Sequence, residues 1–260
     1  MRRWTVVLIS PQESGNIGAA ARVAKNFGAG GLRIVAPRCE VHCSESRRFS
    51  SGAADLLRRA TTHETLAEAI ADQQLAIGLT GVGGRHHRMD CITLLPEPLL
   101  DGRDHLRRCA LVYGPEDTGM TGEDMQQLGF LWSLPTSRGF PSLNLAQAVA
   151  ISLSAVAEVE RRRGLSDLGR GLMLSDEGLN PLSGSPLAVD EPATAGELAL
   201  LMERARNYLK MIQWDSGTRM ASTLSRIQNL LVRAAVTRRE INMLHGMARN
   251  AMQKMAGGKP

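Results

Sequence analysis

The sequence predicts an α/β protein, a mostly parallel sheet with helices on both faces, followed by a small all-helical C-terminal extension. Three observations carry that expectation. Short β-branched runs alternate with Ala-rich helical stretches through residue 163. The first of those runs is continuously apolar, the pattern of a parallel strand buried on both faces. After residue 192 the strand signal stops and helical periodicity alone remains.

The elements follow in order. Thr5-Val-Val-Leu-Ile-Ser10 reads as the first strand. Ile17 to Phe27 is helical, with Gly28 where a left-handed C-cap belongs. Leu32 to Ala36 is strand-like and stops at Pro37. Helices are expected at 51–60 and 64–72, the second opened by Thr61 with Glu64 as a capping box. Strands follow at 74–79, 109–113 and 130–134, and Thr121 with Asp124 caps a short helix between the last two. A long helix runs from about Asn144 to Arg163. Three more are expected near 195–213, 219–233 and 238–255, the last opened by Thr237 with Glu240. Leu224, Ile227, Leu230 and Leu231 form an apolar stripe on the second of these.

Charge divides the chain into three parts. Residues 1–163 carry 19 basic and 17 acidic residues, net +2, and form the expected main domain. Residues 164–192 are net −4, rich in Gly, Pro, Ser and Leu, and read as a linker. Residues 193–260 are net +7, a basic helical extension suited to a polyanion. The 260 residues are 43% hydrophobic, enough to fold without disulfides or a structural metal. With aromatics at 3%, wide base-stacking platforms are excluded.

The four cysteines (Cys39, Cys43, Cys91, Cys109) read as reduced thiols of a cytoplasmic protein, because neither a secretory signal nor a membrane-length apolar run is found. Cys39, His42 and Cys43 lack a second ligand pair at finger spacing, so no metal is expected. His86 and His87, between Arg85 and Arg88, read as solvated or touching phosphate. The methionines at 202, 211, 243, 247, 252 and 255 read as helix-core packing.

Three stretches can carry chemistry. Ser14 to Arg22 places small residues at a helix start, where backbone can approach an anion. Its glycines miss the G-x-G-x-x-G spacing, which disfavours a dinucleotide-binding dehydrogenase. Arg22 is placed one turn inside the helix, as a ligand contact or a solvated helix arginine. Leu111-Val-Tyr-Gly114-Pro-Glu116-Asp-Thr-Gly119 ends a strand in a glycine-bearing loop, where parallel sheets bind ligands. Glu116 is there either to orient a hydroxyl or cation, or as a carboxylate in water. In Ser142-Leu143-Asn144-Leu145-Ala-Gln-Ala, Ser142 or Asn144 can serve as an N-cap or take part in a site.

Asn16-x-Gly18-Ala-Ala-Ala-Arg22, Gly114-x-Glu116-x-x-Gly119 and Ser142-Leu-Asn144-Leu-Ala-Gln-Ala together resemble the three motifs of the SpoU branch of SPOUT RNA methyltransferases. Arg226 to Ala235, Thr237-Arg-Arg-Glu240 and Leu244-His-Gly246 look like the helical extension of its TrmJ-type tRNA methyltransferases. The resemblance implies a deep C-terminal trefoil knot, a homodimer, and methyl transfer from S-adenosylmethionine to a ribose 2′-hydroxyl. For the TrmJ type, it implies a pyrimidine at position 32 of the tRNA anticodon loop. It assigns catalysis to Arg22, Asn16, Glu116, Ser142 and Asn144. It assigns cofactor binding to Thr80, Gly81 and Val82, to Gly114, Glu116 and Gly119, and to Leu134, Pro141, Ser142 and Leu143. Arg22, Arg85, Arg226, Arg233, Arg238 and Arg239 are the expected RNA contacts. Thr80-Gly81-Val82-Gly83-Gly84-Arg85 departs from the Thr-Ser-x-Arg usual at the first cofactor loop. Other targets that stay open are rRNA, another tRNA ribose, or RNA binding without catalysis.

Overall fold

The computed structural model of the chain describes residues 1–81, 91–92, 100, 103–137, 139–140, 142–165, 191–214, 218–234 and 236–257. Its strands are β1 (Trp4–Ile9), β2 (Gly31–Val35), β3 (Thr61–His63), β4 (Leu75–Thr80), β5 (Cys91–Ile92), β6 (Cys109–Tyr113) and β7 (Phe130–Ser133). They form one sheet in the order β3-β2-β1-β6-β4-β7-β5, and every pairing among them is parallel.

The continuous apolar runs are explained by burial on both faces. In β1, Trp4, Val6 and Leu8 enter one core, while Val7 and Ile9 enter the other. β6 repeats this, with Cys109, Leu111 and Tyr113 against Ala110 and Val112. The first core is covered by α1 (Ser14–Asn26), α3 (Ala54–Arg58) and α6 (Leu145–Arg162), the second by α4 (Leu66–Ile70) and α5 (Gly122–Gln126). Glu160, nearly fully buried on α6, accepts from Arg3 Nε at 2.6 Å and Trp4 Nε1 at 2.5 Å. That contact ties the last turn of α6 to the start of β1.

Several elements lie where the sequence places them. Gly28, at φ +64°, ends α1 in a Schellman arrangement, with Ala29 N–H donating to Ala24 O and Gly28 N–H to Lys25 O. Thr121 and Asp124 form a reciprocal capping box, and Asn144 caps α6. Other boundaries moved. α1 begins at Ser14 rather than Ile17. The expected helix at 51–60 is only α3, and an unanticipated α2 (Ser44–Ser50) precedes it, the two separated at Ser51 and at Gly52, where φ is +78°. Thr61 does not cap a helix: Thr61–His63 pairs with Arg33–Val35 as a strand, and Thr65 caps α4 through Glu68 N–H at 3.2 Å. The same Thr-x-x-Glu spacing occurs at both places, and pairing with β2 decides between them.

Three further helices, α7 (Ala195–Met211), α8 (Thr218–Arg233) and α9 (Arg238–Gly257), follow. Thr194 and Glu197 form an unanticipated capping box at the head of α7. The first amides of α7 point at the end of α4, with Ala195 N–H donating to Gln73 O at 2.6 Å and Gly196 N–H to Ala71 O at 3.0 Å. Each helix end thereby satisfies the other's unpaired backbone groups. The helices share a small core of Ala193, Leu198, Leu201, Met202 and Ile241. Met202 is buried as expected, but Met211, Met243 and Met247 are exposed, because their stripes face away from this core.

Gly18 marks where α1 and α2 meet. A Cβ there would sit 2.1 Å from the Ser46 carbonyl oxygen, well inside contact distance. Gly18→Ala is expected to push α2 off α1 and cost about 1–3 kcal/mol, as overpacking does. Urea denaturation of the two proteins checks this.

Candidate active site

The strand order reverses at β1, which has β2 on one side and β6 on the other. Parallel sheets bind ligands beyond the strand C-termini at such a point. Ser10, just past β1, takes φ +44° and donates its N–H to Val35 O at 2.7 Å. This sharp turn, unusual for a residue other than glycine, carries the chain to α1 across the carboxyl edge of the sheet.

Asn16, in the first turn of α1, is buried and uses both ends of its carboxamide. Its Nδ2 donates to Glu116 Oε1 at 2.9 Å and lies 3.3 Å from Glu13 Oε2. Its Oδ1 accepts from Asn144 Nδ2 at 3.0 Å. Glu116 Oε2 accepts the backbone N–H of Gln12 at 3.0 Å. The Gln12 side chain hydrogen-bonds Asp117 and holds its carboxyl below the usual range. Asn144 also does the job the sequence allowed it: its Oδ1 caps α6 by accepting from Ala146 N–H at 2.9 Å and Gln147 N–H at 3.4 Å.

The loop after β6 folds back on itself. A Cβ on Gly114 would meet Met120 N at 2.3 Å and Gly119 C at 2.4 Å, and Gly119 takes φ +66°. Beside it, loops after β4, β6 and β7 line a cleft of about 700 Å³. Thr80, Gly81, Gly114, Glu116, Gly119, Leu134, Ser142 and Leu143 all line this cleft. Val82 and Pro141 lie outside the described residues, as does Arg85. Leu79, Tyr113, Met120 and Leu145 add apolar wall that the motifs did not single out. Tyr113 donates to or accepts from Ser152 Oγ at 2.5 Å, and burial pushes its phenol up, so it stays protonated. Among the described residues no imidazole lines the cleft.

Arg22 is not where the sequence placed it. It is the ninth residue of α1, more than two turns in, because the helix starts at Ser14. It is exposed, does not line the cleft, and makes no ion pair or side-chain hydrogen bond with the described residues. Of the other arginines, Arg226 and Arg239 are exposed on α8 and α9. Arg238 is engaged at home, with Nε 2.6 Å from Glu197 Oε1 and Nη1 2.9 Å from Glu191 Oε2. The Arg233 side chain lies outside the described residues. Cys39 donates to Pro11 O at 3.4 Å, and Cys43 caps α2 by accepting from Ser46 N–H at 3.5 Å.

The family model described as SpoU rRNA Methylase family matches residues 3–154. The chain belongs to this family. A TrmJ of Pseudomonas aeruginosa UCBPP-PA14, named tRNA (cytidine/uridine/adenosine-2'-O-)-methyltransferase, is 31% identical, spanning 98% of this chain and 96% of that protein. A TrmJ of Methanocaldococcus jannaschii, named tRNA (cytidine-2'-O-)-methyltransferase, is 32% identical over 63% of this chain and 71% of its own. The crystal structure of TrmJ from Z. mobilis ZM4 superposes with a TM-score of 0.72 at 26% identity, covering 95% of this chain and 97% of that one.

This SpoU methylase is a methyltransferase whose donor is S-adenosylmethionine, and the cleft fits that group. Its volume lies within the range of small-molecule sites. Leu79, Leu134, Leu143 and Leu145 offer apolar contact to an adenine. The Gly114–Gly119 turn brings bare backbone to the cleft, and Glu116 and Asp117 bring negative charge for a sulfonium.

Sequence reading missed Gln12 and the direct Asn16–Asn144 bond. Gln12 has no motif signature; its position just past β1 in a parallel sheet is the available signal. Asn16→Ala removes a hydrogen bond to a charged carboxylate and a second to Asn144. It is expected to destabilise the SpoU methylase by about 1.5–3 kcal/mol in urea denaturation. It is also expected to weaken S-adenosylmethionine binding in calorimetry, because the loops at the cleft lose their tie.

Proposed function

We propose that this SpoU methylase transfers a methyl group from S-adenosylmethionine to a ribose 2′-hydroxyl of tRNA, at a pyrimidine in position 32 of the anticodon loop. The observation that carries the reading is the Glu116–Asn16–Asn144 linkage, which reaches the cleft through Glu116, found in a chain that aligns almost end to end with a tRNA 2'-O-methyltransferase. The name of that relative includes adenosine, so base preference is tested separately from the reaction. The family description names rRNA, which makes an rRNA ribose the second reading.

When bound, S-adenosylmethionine supplies a methyl on a sulfonium, needing no metal for its transfer. The chain's residues have two tasks. One is alignment of hydroxyl and methyl, the contribution that positioning makes well. Asn16, Glu116, Ser142 and Asn144 serve it by ordering the loops after β1, β6 and β7. The other is handling the hydroxyl proton, which must leave as the oxygen attacks. Arg22 is the residue proposed to polarise the 2′-hydroxyl and hold the adjacent phosphate. A guanidinium normally keeps its protons, so this role is orienting and electrostatic.

The exposed position of Arg22, away from its own cleft, supports a homodimer in which Arg22 of one copy serves the cofactor cleft of the other. The same reading takes the segments around the cleft as a deep trefoil knot. It treats 1–163 as the methyltransferase domain, 164–192 as a linker and 193–260 as the RNA-binding extension, acting in the cytoplasm. Among the described residues, no helix is long and apolar enough to cross a membrane.

Methylation of unmodified total tRNA with labelled S-adenosylmethionine, mapped by mass spectrometry, tests the proposal. A 2′-O-methylated pyrimidine at position 32 is expected, with at least about tenfold lower turnover in both Arg22→Ala and Arg22→Lys. Near-wild-type turnover in Arg22→Lys overturns the bidentate role. Methylation of rRNA alone replaces the substrate and keeps the chemistry.

In the extension, the exposed Arg226 is the better RNA contact, since Arg238 already pairs with Glu191 and Glu197. Arg226→Ala is expected to weaken tRNA binding and lower the salt dependence of log Kd by about 1, leaving cofactor binding unchanged. Filter binding across a salt series, with calorimetry for the cofactor, measures both.

A further inference from the structure

Phe49 on α2 is 44% exposed, although its ring is held firmly from behind. The floor beneath it is glycine: a Cβ on Gly15 would lie 3.2 Å from the ring's Cδ2 and Cε2, and one on Gly18 would lie 3.0 Å from Phe49 Cβ. α1 therefore keeps no side chain where the ring rests. The Arg48 guanidinium carbon is 5.1 Å from the ring centroid, in cation–π range. Gly15, Gly18 and Arg22 fall at i, i+3 and i+7, which is one stripe of α1. Phe49 and Arg22 thus share a face, with the ring roughly 10 Å along the axis from Arg22, toward the Asn16 end. Arg47 and Arg48 are exposed beside it, and Glu45 is the carboxylate at its edge.

We propose that Phe49 is a positioning residue for the RNA: an unpaired base next to the target nucleotide stacks on its ring, and Arg22 and Arg48 meet the flanking phosphates. The proposal rests on the RNA-methylation reading above. A nucleotide of a single-stranded loop presents both a base face and a negative charge: the base takes the place of the exposed Arg48 guanidinium over the ring, and the guanidinium moves to the phosphate. A two-fold contact centred on Phe49 itself, roughly 10 Å from Arg22, would set Arg47 and Arg48 of both copies against each other. The low aromatic content is consistent with one stacking ring rather than a platform.

The experiment uses the full chain and an unmodified tRNA transcript. Kd, KM and kcat for the transcript are measured for wild type, Phe49→Leu, Phe49→Tyr and Arg48→Ala, with sedimentation for oligomeric state and calorimetry for S-adenosylmethionine. Phe49→Leu, which keeps apolar bulk over the glycines, is expected to raise Kd and KM for tRNA roughly five- to a hundredfold, the loss of one base stack. Saturated kcat is expected to change less than about twofold, and cofactor binding and sedimentation not at all. Phe49→Tyr restores tight binding. Wild-type tRNA binding by Phe49→Leu overturns the proposal, and so does a shift in sedimentation, which would assign Phe49 to a contact between copies. If Phe49→Leu is too unstable to assay, Arg48→Ala decides: weaker tRNA binding supports the proposal and unchanged binding overturns it. Failure of the wild-type chain to bind or methylate either tRNA or rRNA fragments sinks the RNA reading itself, and that result is distinct from the preceding ones.

Discussion

The buried carboxamide of Asn16 joins parts of the chain that lie 100 and 128 residues away, through Glu116 and Asn144. Few side chains could take its place. Aspartate has no donor for the Glu116 carboxylate, and leucine would leave that carboxylate and the Asn144 amide without this partner. With the carboxamide there, three segments that end at the carboxyl edge of the sheet are held in one register. These are the start of α1, the loop after β6 and the cap of α6. Asn144 contributes twice, since its oxygen caps a helix while its nitrogen reaches Asn16.

What brings these segments together is the sheet. β1 and β6 are adjacent and parallel, so the turns at their C-terminal ends emerge side by side. Both strands are buried on both faces and cannot slip in register without exposing apolar residues. Glycines then set the close approaches. Gly18 lets α2 rest on α1, and Gly114 lets its loop close against Gly119 and Met120. The cleft forms on the β4–β6–β7 side, while Arg22 stands on the exposed face of α1. This separation underlies the proposal that two copies combine to complete one site.

The C-terminal helices are more than a charged tail. α7 docks by its backbone amides on the carbonyl end of α4, and Val232 of α8 approaches Gly129 so closely that a Cβ there would lie 2.3 Å from it. Of the arginines counted in this region, Arg238 is spent on internal carboxylates, whereas Arg226 is exposed and makes no such pair among the described residues. A net charge read from sequence therefore overstates how much of it can meet a phosphate.

The sequence by itself determined the fold class, the long elements and the family. Continuous apolar runs, an Ala-rich helix closed by Gly28, and the cap pairs at Thr121 and Thr237 are local signals, complete within a few residues. The three motifs were legible for the same reason. Tertiary structure decided what depends on residues far apart in the chain. Thr61 became strand rather than cap because β2 was there to pair with it. α1 started early enough to leave Arg22 beyond its second turn and off the cleft. Met243 and Met247 faced solvent because the helical core lay on the other side. The bond between Asn16 and Asn144 had no local signal at all, because nothing in either segment encodes the distance to the other until the sheet has formed.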